Sequence, residues 1–142
     1  MTFVDYSSDS GNILKQAYED DAAYDLMSRE EHTLQPFERR MFNTGLKVGL
    51  PSGIVGLVCS RSGMAFNSGV VVLNAPGVVD PGYRGYISVL LINLSNNPHT
   101  IEIGDKIGQL LFCPLSKIVF RLKDIIDTDT NRGEGGFGSS GK

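Results

Sequence analysis

Short hydrophobic runs, separated by glycine, proline and asparagine, follow one another along the chain from Thr33 onward. Residues 46–50 alternate between apolar and small or polar side chains and end at Pro51, which is the period of a half-buried strand. Denser apolar runs occupy residues 54–59, 70–73, 87–94, 107–112 and 118–122. No window of helical length keeps a 3.6-residue apolar period. Many short strands at regular spacing predict an all-β sandwich or closed barrel.

The C-terminal end departs from this pattern, and one N-terminal segment is ambiguous. Residues 13–18 fit a short strand and a turn of helix equally well. After Ile126 the only apolar residue is Phe137, and five of the final ten residues are glycine. Such a segment cannot bury enough surface to fold alone. We therefore divide the chain into a β-domain, residues 1–126, and a flexible arm, residues 127–142, which on composition alone is a solubilising tail.

Composition narrows the class of protein. The chain has 142 residues, 41% of them hydrophobic, enough for one domain with a real core. A net charge of −3 provides no basic field for nucleic acid. The sequence shows neither a signal-peptide pattern nor an apolar run of about 18 residues, so we expect a soluble protein without a membrane partner, in the cytoplasm or, if viral, the host-cell cytoplasm. Cys59 and Cys113 lie in apolar runs without a CxxC partner, which predicts buried thiols.

The stretch from Asn74 to Tyr86 is the first candidate for chemistry. It holds three glycines and two prolines between two apolar runs, which predicts a hairpin with an elaborate tip. This tip carries one acid, Asp80, one aromatic residue, Tyr83, and the amide of Asn74. Loops held by buried strands often carry catalytic groups. Taken alone, the stretch is better explained as a turn whose Asp and Asn bond their own backbone.

Two other stretches offer hydrogen-bond donors to an anion. Arg61, Ser62 and Gly63 directly follow an apolar run and supply a guanidinium, a hydroxyl and an unhindered backbone N–H, although alone they fit a plain turn better. Residues 133–142 match parts of the P-loop and GxGxxG patterns, but lack the strand–turn–helix that gives those patterns meaning. We instead infer a mobile tail that binds phosphate through the glycine backbone, Arg132 and two hydroxyls.

Five motifs, taken in order, resemble those of the trimeric dUTPases. They occupy residues 21–26, 51–65, 74–85, 104–112 and 132–141. Each motif is weak by itself, but their shared order and spacing are specific. The resemblance implies an all-β fold of the dUTPase type, a distorted jelly roll or β-barrel, and a homotrimer with active sites at subunit interfaces. It also implies hydrolysis of dUTP to dUMP and diphosphate with Mg²⁺, and so a role in nucleotide-pool sanitation and dUMP supply.

The resemblance assigns roles to individual residues. Asp80 would be the general base that activates water for attack on the α-phosphate, and Asp25 would act through metal-bound water. The implied substrate-binding residues are Arg61, Ser62, Gly63, Asn74, Gly77, Val78, Val79, Tyr83, Ser88, Gln109, Arg132, Phe137, Gly138, Ser139 and Ser140. Tyr83 would pack under the deoxyribose and exclude a 2′-hydroxyl. The arm would close over another subunit's site, with Phe137 on uracil.

The chain departs from the family pattern at several positions. Tyr86 stands where Glu or Gln is common, Pro81–Gly82 replaces an acidic pair, and Ala23 replaces a glycine. Lys106 and Gly108 replace the usual Arg and Ala. None of these changes removes a reacting group. Lys106 keeps the positive charge of arginine but lacks a guanidinium that could make two parallel hydrogen bonds. Tyr86 could alter contacts at the trimer centre.

Two alternatives stay open at this point. A dCTP deaminase on the same scaffold would need a catalytic acid at the cytosine, but the second and third motifs contain no glutamate. A regulatory protein could use the same fold to contact a protein partner, since fold does not fix function.

Overall fold

The computed structural model describes residues 2–136 and consists almost entirely of short β-strands. In chain order the elements are β1 (Asp5–Ser8), β2 (Ala23–Met27), β3 (His32–Leu34), β4 (Arg39–Asn43), β5 (Leu46–Gly49), β6 (Ile54–Cys59), α1 (Ser62–Ser68), β7 (Val70–Val72), β8 (Gly77–Val79), β9 (Ser88–Asn93), β10 (His99–Ile101) and β11 (Lys106–Pro114). The predicted all-β class is confirmed. The predicted closed barrel is not formed among the described residues, whose strands pair in four open sheets.

Two of these sheets position the functional residues. The four-stranded sheet has the order β2-β11-β6-β8 and the three-stranded sheet the order β4-β9-β7, and every neighbouring pair is antiparallel. Strands β7 and β9 form the predicted hairpin. Its tip contains β8, which pairs with β6 in the other sheet. The tip therefore ties the two sheets together.

Apolar residues from both sheets form one core. Burial alternates along β9, where Val89 and Leu91 are fully buried, and Leu26, Ile107 and Leu110 contribute from the four-stranded sheet. Burying each such side chain contributes roughly 1.5–3 kcal/mol. This packing fixes the strand ends from which the site residues project.

Three segments differ from the prediction. The predicted strand at residues 118–122 is absent, because β11 ends at Pro114 and the following segment has no strand partner within residues 2–136. Helix α1 was not predicted, because none of its seven residues is buried and it therefore shows no apolar period. Residues 13–18 form neither strand nor helix. Among the described residues, no helix is long and apolar enough to span a membrane.

Both cysteines are free thiols, but they are half-buried rather than buried as predicted. Cys59 pairs in register with Gln109, and Cys113 with Val55. The two thiols thus lie towards opposite ends of the same strand pair, and the expected absence of a disulfide between them within one chain follows from the register.

Candidate active site in two clefts

The first cleft gathers the predicted anion-binding residues, and we call it the arginine cleft. It has a volume of about 350 Å³ and is lined by Ala17, Asp21, Ala22, Ala23, Asp25, Arg61, Ser62, Gly63, Gln109 and Leu111. Asp25, Gln109 and Cys59 stand in one row across β2, β11 and β6. Because Arg61 follows shortly after β6, this register brings it next to Asp25.

Three charged groups organise the arginine cleft. The Asp25 side chain is only 12% exposed, and its Oδ2 lies 2.6 Å from the Lys106 Nζ. Its Oδ1 lies 3.5 Å from the Arg61 Nε, and the Arg61 Nη1 also donates to the Lys106 carbonyl at 3.2 Å. The trio carries one surplus positive charge. Since the Arg61 side chain is 36% exposed, its guanidinium can bind an anion while Asp25 holds it in place.

The exit of β6 is fixed by hydrogen bonds that the sequence did not indicate. The Gln109 Nε2 donates to the Ser60 carbonyl at 2.9 Å, and the Val72 N–H donates to the Ser60 Oγ at 2.8 Å. Ser62 and Gly63 then open α1, whose first N–H groups receive no side-chain cap from residues 2–136. These N–H groups face no intrahelical acceptor, and Ser62 and Gly63 line the same cleft as Arg61, which suits an anionic ligand.

The second cleft contains the predicted base, and we call it the Asp80 cleft. It has a volume of about 430 Å³ and is lined by Met41, Val58, Asn74, Gly77, Val78, Val79, Asp80, Tyr83, Tyr86, Ile87, Ser88 and Leu90. Strand β8 forms one wall. It lies at the edge of its sheet, so its outer backbone groups are available to a ligand.

Asp80 and Asn74 do not behave as residues of a self-bonded turn. Asp80 is exposed, and no described residue donates a hydrogen bond to its carboxylate; only its backbone carbonyl accepts, from the Tyr83 N–H at 3.0 Å. The Asn74 amide lies against Gly77, where a Cβ would come within 3.2 Å of Nδ2. Glycine at position 77 therefore makes room for the amide, and both polar groups remain available in the cleft.

The Tyr83 ring is held across the chain that follows it. Its hydroxyl donates to the Tyr86 carbonyl at 2.9 Å. A Cβ on Gly85 would lie 2.4 Å from that hydroxyl, so only glycine permits this placement. The side chain remains 44% exposed and can present a ring face to a ligand.

The two clefts share no lining residue. Val79 pairs with Gly56, which places Asp80 at the beginning of β6, whereas Arg61 follows its end. Arg61 is five residues beyond Gly56, a separation of roughly 17 Å at the rise of an extended strand. One chain therefore does not bring its own Asp80 and Arg61 to the same reacting atom.

The remaining predicted residues fall in three places. Ser88, which the resemblance groups with phosphate binding, lines the Asp80 cleft. Arg132 lies in the exposed arm, where its Nε donates to the Gly135 carbonyl at 3.1 Å, and it lines neither cleft. Phe137, Gly138, Ser139 and Ser140 lie outside the described residues.

Comparison with known proteins identifies the family of the chain. The family model described as dUTPase matches residues 9–141. The chain is 42% identical over 139 residues to the deoxyuridine 5′-triphosphate nucleotidohydrolase of Clostridium novyi, covering 97% of this chain and 96% of the relative. It is 45% identical over 126 residues to that of Clostridium kluyveri, covering 88% and 87%. The solved dUTPase of Staphylococcus bacteriophage 80alpha with dUPNHPP superposes with a TM-score of 0.88 at 26% identity, covering 100% of both chains. The chain belongs to the dUTPase family.

Proposed function

We propose that this protein hydrolyses dUTP to dUMP and diphosphate, removing dUTP from the nucleotide pool and supplying dUMP. The observation that carries the proposal is the exposed Asp80 carboxylate, which no described residue engages, in a cleft with Tyr83 and Asn74. A carboxylate placed in this way can accept a proton from water. The activated water attacks the α-phosphorus, and diphosphate leaves.

Recognition of the nucleoside belongs to the Asp80 cleft. The free edge of β8 presents backbone N–H and C=O groups, and Asn74 adds a side-chain amide. Together they pair with the polar edge of uracil, and a base with a different exocyclic group leaves buried polar atoms unpaired. The Tyr83 ring packs against the deoxyribose and leaves no room for a 2′-hydroxyl.

Binding of the phosphates belongs to the arginine cleft. Phosphoryl transfer depends on positioning and on neutralising charge. Arg61 supplies a fixed guanidinium, while Ser62, Gly63 and the amide of Gln109 add neutral donors around it. Because the Asp25 carboxylate pairs with the Arg61 Nε, the guanidinium is oriented before substrate arrives.

The complete site requires more than one copy of the chain, which we take to be a homotrimer. The placement of Asp80 beside the beginning of β6 and of Arg61 beyond its end supports a site in which the Asp80 cleft of one copy faces the arginine cleft of another. A second observation points the same way. The segment after β11 exposes large apolar side chains, namely Leu115, Ile118, Val119, Phe120, Leu122, Ile125 and Ile126. Apolar surface of this extent is typical of an interface.

Magnesium enters this proposal with the substrate, as the complex with the triphosphate. Residues 2–136 contain no group of three His, Cys, Asp or Glu side chains that could hold a metal ion. Asp25 faces the arginine cleft, but both of its oxygens are engaged by Lys106 and Arg61. The described residues therefore suit contact with water bound to the ion better than direct ligation. Bound Mg²⁺ would neutralise phosphate charge.

The free thiols support a reducing compartment, and we place the protein in the cytoplasm.

The dCTP deaminase alternative is disfavoured because neither cleft, within the described chain, is lined by a glutamate. Contact with a protein partner stays a prediction.

The test is a panel of dUTP, UTP, dTTP, dCTP and ATP with Mg²⁺, measuring diphosphate and ammonia release together with the mass of the protein in solution. We expect diphosphate from dUTP alone and the mass of three chains. Ammonia from dCTP, or diphosphate at equal rates from all five nucleotides, would overturn the proposal.

A further inference from the structure

Tyr86 contacts the recognition apparatus in two directions. Its backbone carbonyl accepts the hydrogen bond of the Tyr83 hydroxyl. The residue lines the Asp80 cleft, and its hydroxyl donates to the Asp9 Oδ2. Tyr86 therefore links the N-terminal segment to the ring that faces the sugar.

Asp9 is itself firmly held. Its N–H donates to the Gly45 carbonyl at 2.9 Å, and the neighbouring Ser10 Oγ donates to the Thr44 carbonyl at 3.0 Å. The Lys47 Nζ lies 4.3 Å from the centroid of the Tyr86 ring. The Tyr86 side chain thus contacts a carboxylate of the N-terminal segment and a cation of β5.

The residue after Tyr86 is fixed to the same turn. The Ile87 N–H donates to the Leu46 carbonyl at 2.7 Å, and the Thr44 Oγ1 donates to the Ile87 carbonyl at 2.7 Å. Before Tyr86, the exposed loop from Gly82 to Arg84 makes few such hydrogen bonds. Its backbone is held by the bond from the Tyr83 N–H to the Asp80 carbonyl. Tyr86 is the point at which the fixed strand meets the recognition loop.

We propose that Asp9 and Tyr86 are positioning residues that set the place of the Tyr83 ring and thereby the discrimination between deoxyribose and ribose triphosphates. This inference rests on the proposed function. The bond from a phenol to a carboxylate is charge-assisted and stronger than a neutral one. It holds the Tyr86 backbone, which in turn holds the Tyr83 hydroxyl. Exclusion of a 2′-hydroxyl is steric, so a small displacement of the ring admits it.

The phenol-to-carboxylate bond is specific to this chain's own residues. At position 86 the family pattern commonly has Glu or Gln, and neither could present this phenol to Asp9. The bond also connects the polar N-terminal segment to a residue that lines the Asp80 cleft. Truncation of residues 2–10 should therefore alter sugar selectivity without removing Asp80.

The test compares kcat/KM for dUTP and UTP in Tyr86→Phe, Asp9→Ala, Asp9→Asn and the double variant Tyr86→Phe/Asp9→Ala. Tyr86→Phe keeps the ring beside Lys47 and removes only the hydroxyl. We expect KM for dUTP to rise and the dUTP-to-UTP preference to fall roughly tenfold, the scale of a small steric discrimination, while kcat for dUTP stays near the original value. Asp9→Asn keeps an acceptor and should retain most of the preference.

Additivity and a matched control decide the interpretation. The double variant should be no worse than Tyr86→Phe, because both changes break one bond. Tyr18→Phe removes the hydroxyl of a tyrosine that is 79% exposed and should leave the preference unchanged. Titration with non-hydrolysable dUTP and UTP analogues gives the same ratio independently of turnover.

The possible failures are distinct. If the unmodified protein does not hydrolyse dUTP, the proposed function itself is wrong. If it does, and Tyr86→Phe keeps the full preference for dUTP while its thermal stability falls, Tyr86 has only a structural role and the inference is wrong. Additive losses in the double variant would also contradict a single linking bond.

Discussion

The Lys106 Nζ lies 2.6 Å from the Oδ2 of Asp25, so a lysine serves here as the cationic partner of the carboxylate at the back of the arginine cleft. The register of β11 against β2 shifts between Lys106 and Gly108. Such a bulge turns a side chain out of its regular direction and lets Lys106 reach Asp25. Gly108 suits this place, because a Cβ there would lie 3.3 Å from the Val89 Cγ1.

Lys106→Met should weaken substrate binding more than stability. Without the ammonium, the Asp25 carboxylate pairs with Arg61 alone, and the guanidinium turns away from the phosphates. We expect KM for dUTP to rise roughly tenfold, whereas the free energy of unfolding should fall by about 1 kcal/mol or less because the lysine is partly exposed. Steady-state kinetics and urea unfolding measure the two effects. Lys106→Arg is the matched control, and it should keep KM near the original value; an equal loss in both variants would contradict this role.

Asp80→Asn should separate binding from chemistry. The amide has the shape of the carboxylate but cannot accept the proton from water. We expect kcat for dUTP to fall by about 10²-fold or more, while the dissociation constant of dUPNHPP changes little. Because Asp80 is exposed, we expect the stability to stay unchanged, and thermal unfolding checks this. Full activity in the variant would rule out Asp80 as the base.

Local sequence patterns predicted the strands β5, β6, β7, β9 and β11, because period-two burial and turn residues act over a few positions. The prediction failed where a distant partner decides the outcome. Residues 118–122 have an apolar run, but a strand needs a neighbour, and this segment has none within residues 2–136. Helix α1 was missed because it has no buried face and therefore shows no apolar period.

The candidate site shows the same division between local and distant information. Motif order identified Asp80, Arg61 and Asn74, and the structure places each of them in a cleft. The engagement of both Asp25 oxygens by Lys106 and Arg61 could not be predicted, because it depends on the register of three strands. The register of β8 against β6 likewise separates the two clefts, which no motif spacing reveals.

Glu38 should make stability depend on pH on the acid side. The Gln35 N–H donates to its Oε2 at 2.7 Å, and the His32 Nε2 lies 2.7 Å from its Oε1. The Gln35 hydrogen bond, followed by that of His32, lowers the pKa of the Glu38 carboxyl below its usual value. A lowered pKa means that the stabilisation is present above the unfolded-state pKa and is lost as the pH falls through the folded-state pKa.

We therefore expect Glu38→Gln to show a flatter loss of stability than the original protein between about pH 5 and about pH 3. Urea unfolding followed by circular dichroism measures this, since the chain has no tryptophan. The exposed pair Glu30 and Arg40, 3.6 Å apart, provides the control variant Glu30→Gln. Identical pH profiles for Glu38→Gln and the original protein would contradict the assignment.

Removal of residues 130–142 should abolish most turnover without unfolding the β-domain. The described part of this segment contributes nothing to the core, so the melting temperature and the mass of the assembly should stay constant. A lid that completes the site and excludes water raises turnover, and we expect its loss to lower kcat for dUTP at least roughly tenfold. Unchanged turnover in the truncated protein would show that the arm does not act as a lid.

Mixed assemblies of Asp80→Asn and Arg61→Ala chains should recover activity that neither variant has alone. If each site takes Asp80 from one copy and Arg61 from its neighbour, an Arg61→Ala chain beside an Asp80→Asn chain forms one site with both residues intact. Random assembly at equal amounts gives about a quarter of all sites in this form in a cyclic homotrimer. Two affinity tags isolate the mixed assemblies, and diphosphate release from dUTP measures the recovered activity.

The matched control mixes Asp80→Asn with the double variant Asp80→Asn/Arg61→Ala. No site in that mixture contains Asp80, so subunit exchange alone should restore nothing. If the site instead lay within one chain, the first mixture would stay as inactive as its parents, because every chain in it lacks one of the two residues. The register that places Asp80 and Arg61 at opposite ends of β6 predicts recovery, so an inactive, verified mixed trimer would contradict the shared site.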